Sequence, residues 1–452
     1  MLYNIKKRIT FLFKSMDLWL ILMLTILISI GIIAIYSSCI KYELQIKYVF
    51  MQFIACLLGI LAMLLLANLN YQYYKQFDKF VYIVSILLLI LVLVFGSYRR
   101  GTKGWFNFGP MSFQPVEIAK IMFILVMSSF LDKKANKINE LSFLFYVFII
   151  FICHLILIMM QPDFSSTLVY FPVTLLLLFT VGVKKFYLIC ILIFSTIAIG
   201  LPLLKTFLSM YLNFHQNSFF LYKIIFLSIN YKIIIYILLL ILLIIIWWIL
   251  NKFKIKFSII YPIILYIIIL LGNISALIIE KSLKTYQKQR LIVFLNPRID
   301  PKGSGYNIIQ SKIAIGAGKF FGKGIKNGTQ TQLGFIPEQH TDFIFTVIGE
   351  ESGWIGSQLT LIFYFIFIFR CLVIAKESYD RYGSLIAIGL AAMFLFYVII
   401  NIGMVIGIMP VTGIPLLLLS YGGSSMFSSL CAIGILCSIH ARRHVYFQYI
   451  KY

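Results

Sequence analysis

The sequence predicts an all-α polytopic membrane protein, a bundle of 10–12 transmembrane helices with one large extracytoplasmic loop. Three observations carry this. Of 452 residues, 62% are apolar and only 12% are charged, whereas soluble domains are nearly half apolar and about a quarter charged. The apolar residues fall in long runs rather than alternating. Those runs are 17 or more residues long in most cases, and a spanning segment must satisfy its own backbone hydrogen bonds, which favours helices over strands.

The runs lie at about 18–37, 48–68, 78–97, 117–131, 142–160, 165–182, 186–205, 232–250, 258–279, 343–370, 385–409 and 422–439. Lys6, Lys7, Arg8 and Lys14 precede the first, which runs from Leu18 to about Tyr36 without a following small-residue cleavage site. It reads as a transmembrane helix rather than a cleaved leader. Basic residues then cluster in alternate connections: Lys133, Lys134 and Lys137; Lys184 and Lys185; Lys252, Lys254 and Lys256; Arg442 and Arg443. The positive-inside rule places these, and both termini, in the cytoplasm. Outside lie 98–116, 161–164, 206–231, 280–342 and 410–421.

The net charge is +24, from 39 Lys+Arg against 15 Asp+Glu. In a soluble chain that balance would suggest nucleic acid. Here the cations sit in short connections between apolar runs, so topology and anionic lipid account for them and no nucleic acid is expected. The seven cysteines form no CxxC pair and lie in or beside apolar runs, as small buried hydrophobes do. His440 and His444 stand in a basic HARRH tail without a carboxylate, a surface charge cluster rather than a metal site.

Acids are scarce, and five are embedded in apolar runs or at their outer ends: Glu117, Asp163, Asp342, Glu350 and Glu351. Ionisable groups at membrane depth are costly and mark function or pairing. Lys120 follows Glu117 by three residues on one helical face, either a structural ion pair or part of a site. The loop 281–342 has the densest polar signal, with glycines 303, 305, 316, 318, 322, 324, 328 and 334 interleaved with Lys312, Lys319, Lys323 and Lys326. Glycine amides and lysines suit a phosphate-bearing ligand, although composition alone equally allows a flexible loop. The run Gly318–Lys323 is no P-loop, having too few residues between its glycines and no Ser/Thr after the lysine. Asp342 stands where the loop meets the tenth apolar run, and Glu350 lies about 12 Å further along a helix. There Asp342 suits a general base or a helix N-cap.

Four stretches resemble the SEDS family (shape, elongation, division and sporulation): GWFNFGPMSFQPVEIAKI at 104–121, QPDFSSTLVY at 161–170, the long segment from YQKQR to VIGEE at 286–351, and NIGMVIGIMPVTGIPLLLLSYGGSS at 401–425. The form GTQTQLGFIPEQHTDF resembles the elongation branch rather than the division branch. The resemblance implies a single SEDS domain over 1–452, in the bacterial cytoplasmic membrane, with 281–342 as its extracytoplasmic catalytic loop. It implies a peptidoglycan glycosyltransferase that polymerises lipid II, an undecaprenyl-pyrophosphate disaccharide-pentapeptide, for wall elongation and cell shape. Its partners would be a class B penicillin-binding protein transpeptidase and other elongation-complex membrane proteins.

The family's essential aspartate falls on Asp342, its buried Glu and Lys on Glu117 and Lys120, and its QPD aspartate on Asp163. With Asp342 catalytic, substrate binding is expected from Glu117, Lys120, Asp163, Arg290, Lys312, Lys323, Gln330, Gln332, Glu338, His340 and Thr341, with Glu350, Glu351 and Ser424 supporting. Mg²⁺ or Mn²⁺ is expected to assist, held partly by substrate phosphates, since no metal-ligand spacing is visible. The family usually has ten helices, so 206–257 reads as an insertion with an extra hairpin. Gly104 replaces the basic residue often found before Trp105, with Lys103 or Arg100 as stand-ins, and PLLL replaces PLPF before SYGGSS. Two rivals predict differently. A lipid II transporter needs mid-membrane charges reached from both faces, and a non-catalytic scaffold would tolerate loss of the Asp342 carboxylate.

Overall fold

The computed structural model describes residues 16–38, 42–99, 102–109, 111–138, 140–211, 229–253, 258–282, 293 and 304–443. Each of the twelve apolar runs is a helix, and the chain is a multi-pass membrane protein. The helices, in chain order, are α1 (Leu18–Ser38), α2 (Tyr42–Asn68), short α3 (Gln72–Gln76), α4 (Asp78–Phe95), α5 (Pro115–Lys133), α6 (Leu141–Met160), α7 (Phe164–Val181), α8 (Lys185–Tyr211), α9 (Ile229–Lys252), α10 (Ile260–Ser282), α11 (Ser304–Ala317), short α12 (Thr329–Gln332), α13 (Ile344–Glu377), α14 (Arg381–Val405) and α15 (Gly423–Ala441). Ten are long and apolar enough to cross a bilayer by themselves. The other two of the twelve are α5, which carries Glu117 and Lys120, and α7, whose apolar stretch Ser165–Val181 is shorter.

The chain divides into two compact units. The first holds Met1–Val183 and Tyr306–Tyr452, the second Lys184–Gly305. In the second, α8 and α10 approach closely: a methyl added at Gly272 would come within 3.0 Å of Ile197. The helix α9 falls within the expected insertion 206–257, of which 212–228 and 254–257 lie outside the described residues.

Local chemistry sets the boundaries in the first unit. Pro115 opens α5, where its missing N–H costs nothing. Asp163 caps α7 by accepting from the Ser166 amide at 3.1 Å, and Gly182 ends that helix at φ 91°. Between α4 and α5 the chain makes a three-stranded antiparallel sheet, β1 (Ser97–Arg99), β2 (Thr102–Phe108) and β3 (Met111–Phe113), in that order. The expected loop 281–342 contains helical α11 and α12. Ser311 of α11 bonds Thr346 at 2.8 Å and the Val405 carbonyl at 2.9 Å, which seats α11 against α13 and α14.

Near the start of α1, Asp17 caps the helix through the Leu20 amide at 2.9 Å and pairs with Arg370. Burial raises the Asp17 carboxyl, but the Arg370 guanidinium and the Leu20 amide outweigh that and hold it below its ordinary value. His440 is not on the surface as its basic neighbourhood suggests. It is buried, 4.0 Å from Asp17 and 3.6 Å from Glu377. His444 lies outside the described residues. Among described cysteines, Cys56, Cys190, Cys371, Cys431 and Cys437 are buried and Cys153 is half-buried, all as free thiols.

Candidate active site

Asp342 sits in the turn just before α13, half-buried. The capping position of α13 is Phe343, one residue beyond it. Three consecutive carbonyls of this turn are tied down, two by the segment before α15 and one by α14. The His340 carbonyl accepts from the Tyr421 amide at 2.9 Å, the Thr341 carbonyl from the Ser420 hydroxyl at 2.6 Å, and the Asp342 carbonyl from Asn401 Nδ2 at 2.8 Å. Asn401 also donates to the Ile414 carbonyl at 2.7 Å. Gln52 of α2 holds the same segment, donating to the Ser420 carbonyl at 3.3 Å and accepting from the Gly422 amide at 3.1 Å. His340 stacks on Tyr48 with ring centroids 4.7 Å apart. The aspartate is therefore carried on a backbone fixed from α2, α14 and the start of α15.

Facing it is the N-terminus of α5. Lys120 Nζ lies 2.6 Å from Glu117 Oε1, and both side chains are buried. Tyr397 of α14 donates to the Glu117 carboxylate at 3.2 Å, contacts Lys120 Nζ through its hydroxyl, and lies under that ammonium at 4.6 Å. The structure thus adds a phenol to the pair. A charge at this depth is tolerable only when its lone pairs and protons are met, and the phenol meets what the i,i+3 geometry leaves over. Before Glu117, the Gln114 amide donates to Ser424 Oγ at 2.8 Å, and Ser424 donates to the Ser112 carbonyl at 3.1 Å. Gln114 Nε2 reaches Asp163 Oδ2 at 3.0 Å. Asp163 is thus a helix cap that holds the Gln114 side chain.

These elements enclose a cavity of about 450 Å³. Asp342, Thr341, Glu117 and Ser424 all line it, together with Trp105, Gln114, Tyr421 and Gly423. Asp342 and Glu117 are the two carboxylates among its lining residues. The first turn of α15 forms part of the wall, and its cap position, Gly422, supplies no capping side chain. Helix N-termini favour anions.

The glycine- and lysine-rich segment does different work. Glu350 is fully buried and accepts from the Gln330 and Thr331 amides, each at 2.9 Å, and from Lys323 Nζ at 3.0 Å. It pins α12 by the amides of that helix's first turn. Glu351 accepts from the Lys326 amide at 3.2 Å and from Ser37 at the end of α1. Gln332 donates to the Ser37 carbonyl at 2.8 Å, and Gln339 to the Ser38 and Thr331 carbonyls.

Helix α13 breaks at Gly353, where φ is 66°. Across the break, the Lys323 and Gly324 amides donate to the Glu350 and Glu351 carbonyls at 3.0 Å each. The Trp354 and Ile355 amides donate to the Lys319 and Phe320 carbonyls at 2.8 and 3.1 Å. A Cβ at Gly322, where φ is 80°, would lie 2.0 Å from the Glu351 carbonyl. Here the glycines admit backbone to backbone.

The expected binding residues therefore divide. The cavity gathers Asp342, Glu117, Thr341 and Ser424, with Lys120 and Asp163 one contact behind. Lys323, Gln330, Gln332, Glu350 and Glu351 belong to the network that anchors the loop. Lys312 is exposed on α11 beside Gly407. Glu338 is exposed and accepts from the Thr341 hydroxyl at 3.1 Å, with His340 Nε2 4.0 Å away. Arg290 lies outside the described residues. Among described residues no cluster of three or more His, Cys, Asp or Glu could hold a metal. Gln52, Gln114, Asn401 and Tyr421 also position the site, and none of them is an acid. The first three were visible as uncharged polar residues in or beside apolar runs. Nothing in the sequence pointed to Tyr397.

Comparison with known proteins identifies the family. The family model for FtsW, RodA and SpoVE, described as a cell cycle protein, matches residues 17–222 and 217–445. The peptidoglycan glycosyltransferase RodA of Treponema pallidum is 35% identical over 443 residues, covering 95% of this chain and 98% of that protein. The peptidoglycan glycosyltransferase MrdB of Escherichia coli is 30% identical over 386 residues, covering 85% and 84%. A solved chain from work on the coordination of polymerization and crosslinking by a peptidoglycan synthase complex superposes with a TM-score of 0.64 at 24% identity, over 95% of this chain and 98% of that one. That structural likeness bears on the fold alone. With the family model matching nearly end to end and a RodA at 35% identity, this chain belongs to the FtsW/RodA/SpoVE family, the SEDS family its four stretches resemble.

Proposed function

We propose that this chain is a peptidoglycan glycosyltransferase of the elongation type, which polymerises lipid II into glycan strands on the outer side of the cytoplasmic membrane. One observation carries the site assignment: the rigidly held Asp342 turn, Glu117 and the α15 N-terminus line a single cavity. An acceptor sugar hydroxyl attacks the anomeric carbon of a lipid-linked donor, and the lipid pyrophosphate departs with the bonding electrons. Asp342 takes the hydroxyl proton. The amides of the α15 first turn receive the pyrophosphate charge. This role replaces the one the sequence suggested for Lys323, which is committed to Glu350.

Glu117 and Lys120 hold the opposite wall in place. A Mg²⁺ or Mn²⁺ ion would supply charge neutralisation on the leaving group. The Asp342 carboxylate, which lines the cavity, would share such an ion with substrate phosphates. Both termini are assigned to the cytoplasm and the Asp342 turn to the outside. A class B penicillin-binding protein is the cross-linking partner, a pairing in keeping with the synthase-complex origin of the similar solved chain.

The test is purified protein, alone and with that partner, given lipid II in detergent with divalent metal, and glycan length read on a gel. Polymer is expected from the wild type and none from an equally folded Asp342→Asn variant. Labelled lipid II crossing liposome bilayers with no polymer from either protein would replace the enzyme by a transporter.

A further inference from the structure

Helix α13 is too long for one membrane crossing. Its 34 residues would extend about 51 Å at 1.5 Å each, against a hydrocarbon core of about 30 Å. The break at Gly353 resolves the excess. Residues 354–377, about 36 Å of helix, are left as the spanning part. Trp354 and Ile355 then stand at its membrane edge. They continue a stripe of exposed apolar side chains down one face, through Leu359, Ile362, Phe365 and Phe369. Exposure at that spacing is a lipid-facing stripe, and tryptophan is enriched where such a stripe meets the headgroups.

The segment 318–326, GKFFGKGIK, is bonded to this edge. The Trp354 and Ile355 amides donate to the carbonyls of Lys319 and Phe320, and the Phe320 ring meets the Trp354 ring edge-on at 5.9 Å. Its neighbour Phe321 is 84% exposed, and Ile325 is also exposed. The segment contains no acid. Lys319 is exposed, and Lys326 lies 3.9 Å over the Tyr36 ring at the end of α1. Exposed phenyl rings at the outer end of a lipid-facing stripe, flanked by cations alone, match the headgroup region in both polarity and charge.

We propose that 318–326 is an interfacial anchor. It seats Phe320 and Phe321 at the boundary of headgroups and acyl chains, and Lys319 against the phosphates of anionic phospholipid. Because the same segment is tied through Lys323 and Glu350 to α12, the anchor fixes the height of the polar loop above the bilayer. The inference uses the membrane topology and is independent of the reaction.

The experiment uses the full chain in nanodiscs of phosphatidylcholine, with or without an equal part of phosphatidylglycerol. Phe321→Cys and, as a water-exposed control, Asn327→Cys are labelled with nitrobenzoxadiazole, and wild type is processed in parallel for background. The label at 321 is expected to shift to the blue, to be quenched by headgroup-level nitroxide lipid, and to be screened from iodide. The label at 327 should behave oppositely. Adding Lys319→Glu should lower apparent partitioning about fivefold or more in the anionic discs and leave the zwitterionic discs unchanged. Iodide quenching at 321 equal to that at 327 would overturn the proposal. So would screening that appears only when the penicillin-binding protein is added, which would assign the surface to a protein partner.

Discussion

Helices α9 and α15 are both apolar enough to span a membrane, yet they sit at opposite extremes of packing. No residue of Ile234–Lys252 in α9 is buried. In α15 every residue except Gly423 and Phe427 is buried. The compositions run the other way. The exposed helix is a run of Ile and Leu, whereas the buried one, GSSMFSSLCAIGILCSIHA, is rich in small and weakly polar residues. In water the greasiest segment goes inside. In lipid, acyl chains solvate Ile and Leu as well as protein does, so close approach and hydrogen bonding decide what is central. Gly434 illustrates the approach: a Cβ there would lie 2.6 Å from the Met63 carbonyl of α2.

The most severe test of this contrast is to remove compensation from the centre. Lys120→Met should strand the Glu117 carboxylate and cost about 3–5 kcal/mol, read as a large fall in the thermal midpoint in detergent. The double variant Glu117→Gln/Lys120→Met should recover much of the loss. Next, Glu350→Ala should cost on the order of 3 kcal/mol by releasing charge-assisted bonds, with hydrogen exchange at the Gln330 and Thr331 amides rising most. Gly434→Val should cost about 1–3 kcal/mol through overpacking of α2 against α15. Leu242→Ala on exposed α9 should stay within about 0.5 kcal/mol. A Leu242→Ala loss as large as that of Gly434→Val would break the comparison, since Leu242 would then be packed rather than exposed.

The same contrast explains what could be read in advance. All twelve apolar runs became helices, because length and hydropathy answer the question a bilayer asks. The Glu117–Lys120 pair was legible because three residues on a helix is a distance. Tyr397, which completes it, comes from 277 residues away, and no local rule points to it. The capping alternative was attached to Asp342, but α13 starts one residue too late for it, with Phe343 at the cap position, while Asp17, Asp163 and Asp380 cap other helices. The glycines and lysines of 316–328 matched a phosphate loop in composition. What their composition could not express was the nearness of another backbone. The same gap hid α11, whose sequence SGYNIIQSKIAIGA is too polar to resemble its neighbours and is held by tertiary contacts.

The break at Gly353 makes chain length itself a constraint. Four peptide bonds between 319 and 324 answer four particular peptides between 350 and 355, so the two stretches must count in step. A one-codon insertion or deletion between Phe320 and Lys323 would put two of the four pairings out of step with the other two. Substitutions at exposed Lys319 or Ile325 would leave the count intact. Over generations this stretch should therefore hold its number and Gly322 while its exposed side chains drift.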